Sequence, residues 1–128
     1  YDRLGKLKAA EVLVVLDACF SGTGGRSVIA KGARPLVTLV PAAPVAPHVA
    51  VLAATEGAQN SASSPEKGHG VLTYYWLKAI QDGKKDLAEA YRWLKPLVED
   101  DAKSMNFDQT PSLVPHPDRL KGRFLLRK

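Results

Sequence analysis

Two apolar runs and two amphipathic stretches organise the chain. Glu11-Val12-Leu13-Val14-Val15-Leu16-Asp17 is continuous rather than alternating, and rich in Val. That pattern predicts a central strand of a parallel sheet, covered by helices on both faces. Val49-Ala50-Val51-Leu52-Ala53-Ala54 predicts a second buried strand. From about Val71 to Asp82, the apolar positions Leu72, Tyr75, Trp76, Ala79 and Ile80 recur at three- and four-residue steps. They predict a helix that Gly83 stops. Asp86 and Glu89 form a D-x-x-E start signal for a second helix over 86–103. Its stripe is Leu87, Tyr91, Leu94 and Val98, and Pro96 is expected to kink or divide it near Lys95.

The segments between them differ in kind. Tyr1 to Ala9 reads as the last turns of a helix, with Leu4 and Leu7 three apart and basic residues following. Ser21-Gly22-Thr23-Gly24-Gly25 cannot continue a strand. Pro35, Pro41, Pro44 and Pro47 exclude a helix or central strand up to His48, so 23–48 is expected to be a long exposed connection. Residues 55–68 read as a polar loop. Leu113-Val114, between two prolines, and Phe124-Leu125-Leu126 are candidates for short edge strands. Strand, connection, strand, helix, helix is an α/β order. Two or three strands make too narrow a parallel sheet to stand alone. With a start at Tyr1 rather than Met, the chain is expected to be the C-terminal portion of a larger domain.

Composition changes this picture little. The chain has 128 residues, 45% hydrophobic and 24% charged, which suits one globular domain. No apolar run approaches the roughly 18 residues of a membrane span. A single cysteine, Cys19, excludes an intrachain disulfide framework and a multi-cysteine metal site. It points to a reducing compartment, and a cytoplasmic location is expected. The net charge of +5 owes much to Arg119, Lys121, Arg123, Arg127 and Lys128. No nucleic-acid-binding motif accompanies them, so they read as a solvated, solubilising end. Neither nucleic acid nor membrane is an expected partner.

The chemistry concentrates in Asp17-Ala18-Cys19-Phe20-Ser21-Gly22, directly after the first strand. Beyond the carboxyl end of a strand, a thiol meets loop N–H groups. They stabilise a thiolate and the oxyanion formed when it attacks a carbonyl. Alone, a lone cysteine there is more readily a small buried hydrophobe. The flanking residues favour chemistry. Val14-Val15-Leu16-Asp17-Ala18-Cys19-Phe20-Ser21-Gly22 resembles the nucleophile segment of caspase-like cysteine peptidases (peptidase C14). It is closest to the metacaspase and bacterial caspase-homologue branch. Gly68-His69-Gly70-Val71-Leu72-Thr73-Tyr74-Tyr75-Trp76 is similar to that family's helix after the next strand, with its Gly-x-Phe/Leu-Thr start.

The resemblance implies a three-layer α/β/α sandwich with a mainly parallel central sheet, of which 49–128 would be the small-subunit-like part. It implies cysteine endopeptidase activity on a polypeptide substrate, with no cofactor or metal. Cys19 would be the nucleophile, and its backbone N–H part of the oxyanion hole. The catalytic His would lie about 50 residues earlier, in an N-terminal part of the domain. Asp17 would floor the pocket for the residue before the scissile bond and select Arg or Lys, since a buried carboxylate demands a cation. Ala53 and Glu56 would line that pocket. Ala53 stands where the family usually has a small polar residue, and Glu56 reads equally as a solvated loop acid. The connection would offer Lys31 first, then Arg26 and Arg34, as sites of activating cleavage, or remain an uncut loop. The clustered aspartates of calcium-dependent metacaspases are not recognisable after Cys19.

The three histidines present are expected to be decoys. His69, in Gly68-His69-Gly70, mimics the family's His-Gly signature but precedes a helix. His48 and His116 read as solvent-facing loop residues. Two other functions compete. One is a caspase-like pseudoenzyme serving as an interaction scaffold, which residues upstream of Tyr1 would decide. The other is a nucleotide-binding signalling domain using 21–25 as a phosphate loop, although the P-loop lysine is missing.

Overall fold

A computed structural model describes residues 2–17, 45–56, 63–64 and 66–126. Strand β1 (Val12–Leu16) pairs in parallel with β2 (Val49–Ala53), Val12 opposite Val49 and Leu16 opposite Ala53. The hairpin-like pair β3 (Ser63–Ser64) and β4 (His69–Gly70) precedes helix α1 (Val71–Gln81). Helix α2 (Leu87–Ser104) and strand β5 (Ser112–Val114) follow. β5 pairs antiparallel with the other side of β2, giving the order β1-β2-β5. The sheet of the described residues is therefore mixed, with one parallel and one antiparallel pairing, rather than mainly parallel.

One core joins sheet and helices. Ala50 and Leu52 of β2 and Leu113 of β5 pack with Val71, Leu72, Trp76 and Ala79 of α1 and with Leu87, Tyr91, Leu94 and Val98 of α2. Leu13 and Val15 of β1 lie against this cluster, as alternation on a pleated strand requires. The described helices thus form one layer. The second helical layer of a three-layer sandwich is not among the described residues. β1 is half-exposed and lies at an edge of the described sheet, not at its centre as its continuous apolar pattern predicts.

The helices follow their sequence signals with three differences. Asp86 caps α2 by accepting from Glu89 N–H at 2.9 Å, and Glu89 accepts from Lys85 N–H at 2.7 Å. Gly83 follows α1 with φ +77°, a conformation glycine adopts without strain. Pro96 does not divide α2, because it sits on the exposed side and the Arg92 carbonyl it leaves unbonded within the helix can meet water. Ile80, expected on the buried face of α1, is 44% exposed. Residues Leu4–Lys6 form a short 3₁₀ turn instead of the end of an α-helix.

The C-terminal segment is tied in rather than loose. Phe124 is buried with φ +54°, its N–H donating to Glu11 Oε2 at 2.8 Å and its carbonyl accepting from Leu87 N–H at 3.1 Å. Arg123 donates to the Pro47 carbonyl and pairs with Glu11. Of the basic cluster, Arg119 and Lys121 are exposed, as a solvated end requires.

Candidate functional site

Parallel pairing brings the carboxyl ends of β1 and β2 to one side of the sheet. Asp17 follows β1 there, and Ala54 N–H donates to the Leu16 carbonyl at 2.9 Å, extending the ladder one step. The Asp17 carboxylate turns to the start of α1. Its Oδ2 accepts from Thr73 N–H at 2.9 Å and from Thr73 Oγ–H at 2.7 Å. The first turn of a helix holds N–H groups without intrahelical partners. The N-cap of α1 is Gly70, which has no side chain to serve them, so Asp17 does so from 56 residues away in the chain. Gly70 also lies so close that a Cβ there would sit 2.1 Å from Asp17 Oδ2. A side chain at position 70 would have to push the carboxylate aside; the φ of −58° is one any residue adopts.

Cys19, its backbone N–H and the cleavage candidates Arg26, Lys31 and Arg34 lie outside the described residues. Ala53, the last residue of β2, stands opposite Leu16 and Ser112. Glu56 lies beyond it in a cavity of about 500 Å³ lined also by Tyr91, Lys95, Ser112, Leu113 and His116. In that cavity Tyr91 Oη donates to the Pro111 carbonyl at 2.9 Å and Ser112 Oγ to the Thr55 carbonyl at 3.2 Å. Burial pushes the Tyr91 phenol above its ordinary range; Lys95 opposes the shift and Glu56 adds to it. Asp17 and Glu56 thus belong to neighbouring strand ends, each engaged with a different helix.

The histidines separate by position. His48, expected to face solvent, is instead half-buried just before β2, at the end of the sheet away from Asp17, with its Nε2 buried and without a hydrogen-bond partner among the described residues. His116 is exposed and accepts from Asp118 N–H. His69 pairs with Ser64, is exposed, and lies one residue before Gly70. Among the described residues no three His, Cys, Asp or Glu gather as a metal would require. No described helix is long and apolar enough to cross a membrane.

Thr73 and Gly70 are the site residues that sequence reasoning passed over. Their signal was the Gly-x-x-Thr spacing at the start of α1, legible as a helix start but not as a contact with Asp17. The chain matches no protein-family model, no curated protein and no solved structure.

Proposed function

We propose that the chain carries the nucleophile and specificity acid of a caspase-like cysteine endopeptidase that cleaves after Arg or Lys. The observation that carries this reading is the placement of Asp17. It is a carboxylate anchored at the carboxyl end of a strand in a parallel pair, two residues before the chain's one cysteine. In open α/β sheets this is where ligands and reactive groups gather. The motif Asp17-Ala18-Cys19-Phe20-Ser21-Gly22 supplies the family resemblance, and the finer three-layer architecture belongs to the same proposal.

The chemistry follows from the residue types. A His from an N-terminal part of the domain takes the Cys19 thiol proton. The thiolate attacks the scissile carbonyl carbon, and backbone N–H groups, that of Cys19 among them, hold the resulting oxyanion. The leaving amine takes the proton from the imidazolium as the C–N bond breaks. Water then hydrolyses the thioester and returns free thiol and a carboxylate product. Asp17 pairs with the cationic side chain before the scissile bond, and Ala53 and Glu56 are the proposed neighbours in that pocket. Lys31, ahead of Arg26 and Arg34, is the proposed point of activating cleavage.

The test uses the full-length protein and peptides differing only in the residue before the scissile bond. Cys19→Ala is expected to abolish cleavage and labelling by an Arg-directed acyloxymethyl ketone while leaving the thermal midpoint near that of the parent. Asp17→Asn is expected to lose most turnover of Arg and Lys peptides. Near-full activity of Cys19→Ala, or equal cleavage of Asp- and Arg-directed peptides by the parent, overturns the reading.

A further inference from the structure

We propose that Thr73 is a positioning residue for Asp17, so that the first turn of α1 sets how strictly the cleft demands a cation. The inference rests on the reading of Asp17 as the counter-ion for substrate. Thr73 donates twice to one oxygen, Oδ2, from its backbone at 2.9 Å and from its hydroxyl at 2.7 Å. Both donors are stiff. The backbone N–H belongs to a helix whose first turn is anchored by the buried Val71 and Leu72. The hydroxyl stands on a β-branched carbon with few χ1 choices. The same carboxylate lies so close to Gly70 that a Cβ there would be 2.1 Å from Oδ2, 2.7 Å from Cγ and 2.9 Å from Oδ1. The group thus has two donors on one oxygen and no room for a side chain at position 70.

That clamp has a consequence for recognition. A carboxylate free to rotate about χ2 can follow a misplaced cation or turn its charge toward water, which blurs selectivity. One whose Oδ2 is fixed keeps its lone pairs in one direction, and pre-organised charge discriminates best. The competing role is a helix cap alone, in which Asp17 serves α1 and substrate preference is set elsewhere. The two roles part in what they move: a cap moves stability, a positioning residue moves selectivity as well.

The experiment measures kcat and KM of the full-length protein on peptides with Arg or its neutral isostere citrulline before the scissile bond. It is done for the parent and for Thr73→Ser, Thr73→Val and Gly70→Ala, with thermal midpoints alongside. Thr73→Val keeps shape and backbone donor but removes the hydroxyl. It is expected to reduce Arg-over-citrulline selectivity about tenfold, less than an ångström-scale misplacement costs, chiefly through KM for the Arg peptide. Thr73→Ser restores the hydroxyl and is expected to restore selectivity. Gly70→Ala pushes on the carboxylate without touching Thr73 and is expected to lose selectivity too; it carries the test if Thr73→Val does not fold. A lowered thermal midpoint with parental selectivity in both Thr73→Val and Gly70→Ala leaves Thr73 a cap and overturns the inference. Asp17→Asn separates the two levels: if it too keeps parental selectivity, the counter-ion reading has failed, whereas if it alone loses selectivity, only the role of Thr73 has.

Discussion

At the scale of single residues, chemistry near a site and chemistry in it have to be told apart. His69 is the test case. It carries the right side chain, stands between two glycines and lies next to Gly70, whose backbone touches Asp17. Yet it is exposed, paired with Ser64 in a two-residue strand and placed before a helix. A general base needs a held geometry, and its loss costs about 10²- to 10⁴-fold. His69→Ala in the full-length protein is therefore expected to change kcat/KM no more than about twofold, well below that cost. A loss of a hundredfold would make His69 the base and remove the need for an upstream one. Asp17 shows the reverse. The family resemblance singled it out, but its partner Thr73 was not legible, because nothing in a sequence links position 17 to position 73 before the fold is known.

At the scale of elements, α2 shows how far local rules reach. Its start, its cap and its buried stripe follow from Asp86, Glu89 and the spacing of Leu87, Tyr91, Leu94 and Val98. Pro96 breaks the pattern without breaking the helix, since it lies on the exposed side. The proline still removes one intrahelical hydrogen bond. Proline in a helix interior is about 3 kcal/mol less favourable than alanine, offset by up to about 1 kcal/mol through the stiffer unfolded chain. Pro96→Ala is thus expected to stabilise the protein by about 2 kcal/mol, read as a higher urea midpoint at unchanged slope. A midpoint at or below the parent's would mean that the proline shapes α2 to fit its neighbours. The strands β1 and β2 and the helix α1 were legible for the same reason as α2: each is long and strongly patterned. The pair β3–β4 was not, because Ser63-Ser64 and His69-Gly70 are two residues each and have no strand character. Nor was the antiparallel placing of β5, since three residues fix neither direction nor neighbour.

At the scale of the whole molecule, two groups that each bridge separate segments of the chain hold their protons more tightly in the fold and give it a pH signature. Lys67, just before α1, reaches across both helices. It pairs with Asp101 of α2, donates to Tyr75 Oη of α1 at 3.3 Å, and stands over the Tyr74 and Tyr75 rings at 4.9 and 5.0 Å. The hydrogen bond to Asp101, more than any other contact, raises its affinity for the proton above the ordinary lysine value of 10.5. Tyr91, which joins α2 to the segment before β5, has its phenol raised above 10.0, chiefly by burial. In both cases the folded chain holds the proton more tightly than the unfolded chain. The stabilisation is therefore complete below the unfolded value and disappears as pH climbs through the folded one. Both groups act in the same direction, so stability is expected to fall from about pH 10 upward. Other lysines and tyrosines titrate there as well, so the comparison that isolates these two is between variants. Lys67→Met keeps the aliphatic stem and removes the charge, and Tyr91→Phe keeps the ring and removes the hydroxyl. Each is expected to lower stability at neutral pH, Tyr91→Phe by about 1 kcal/mol for its hydrogen bond to the Pro111 carbonyl. Each is also expected to show a shallower loss between about pH 9 and pH 11 than the parent, because the proton that linked folding to pH is gone. Urea midpoints measured across that range decide it: parallel curves for parent and variants would show that neither group couples its proton to the fold, and that the alkaline side is governed by the remaining charges alone.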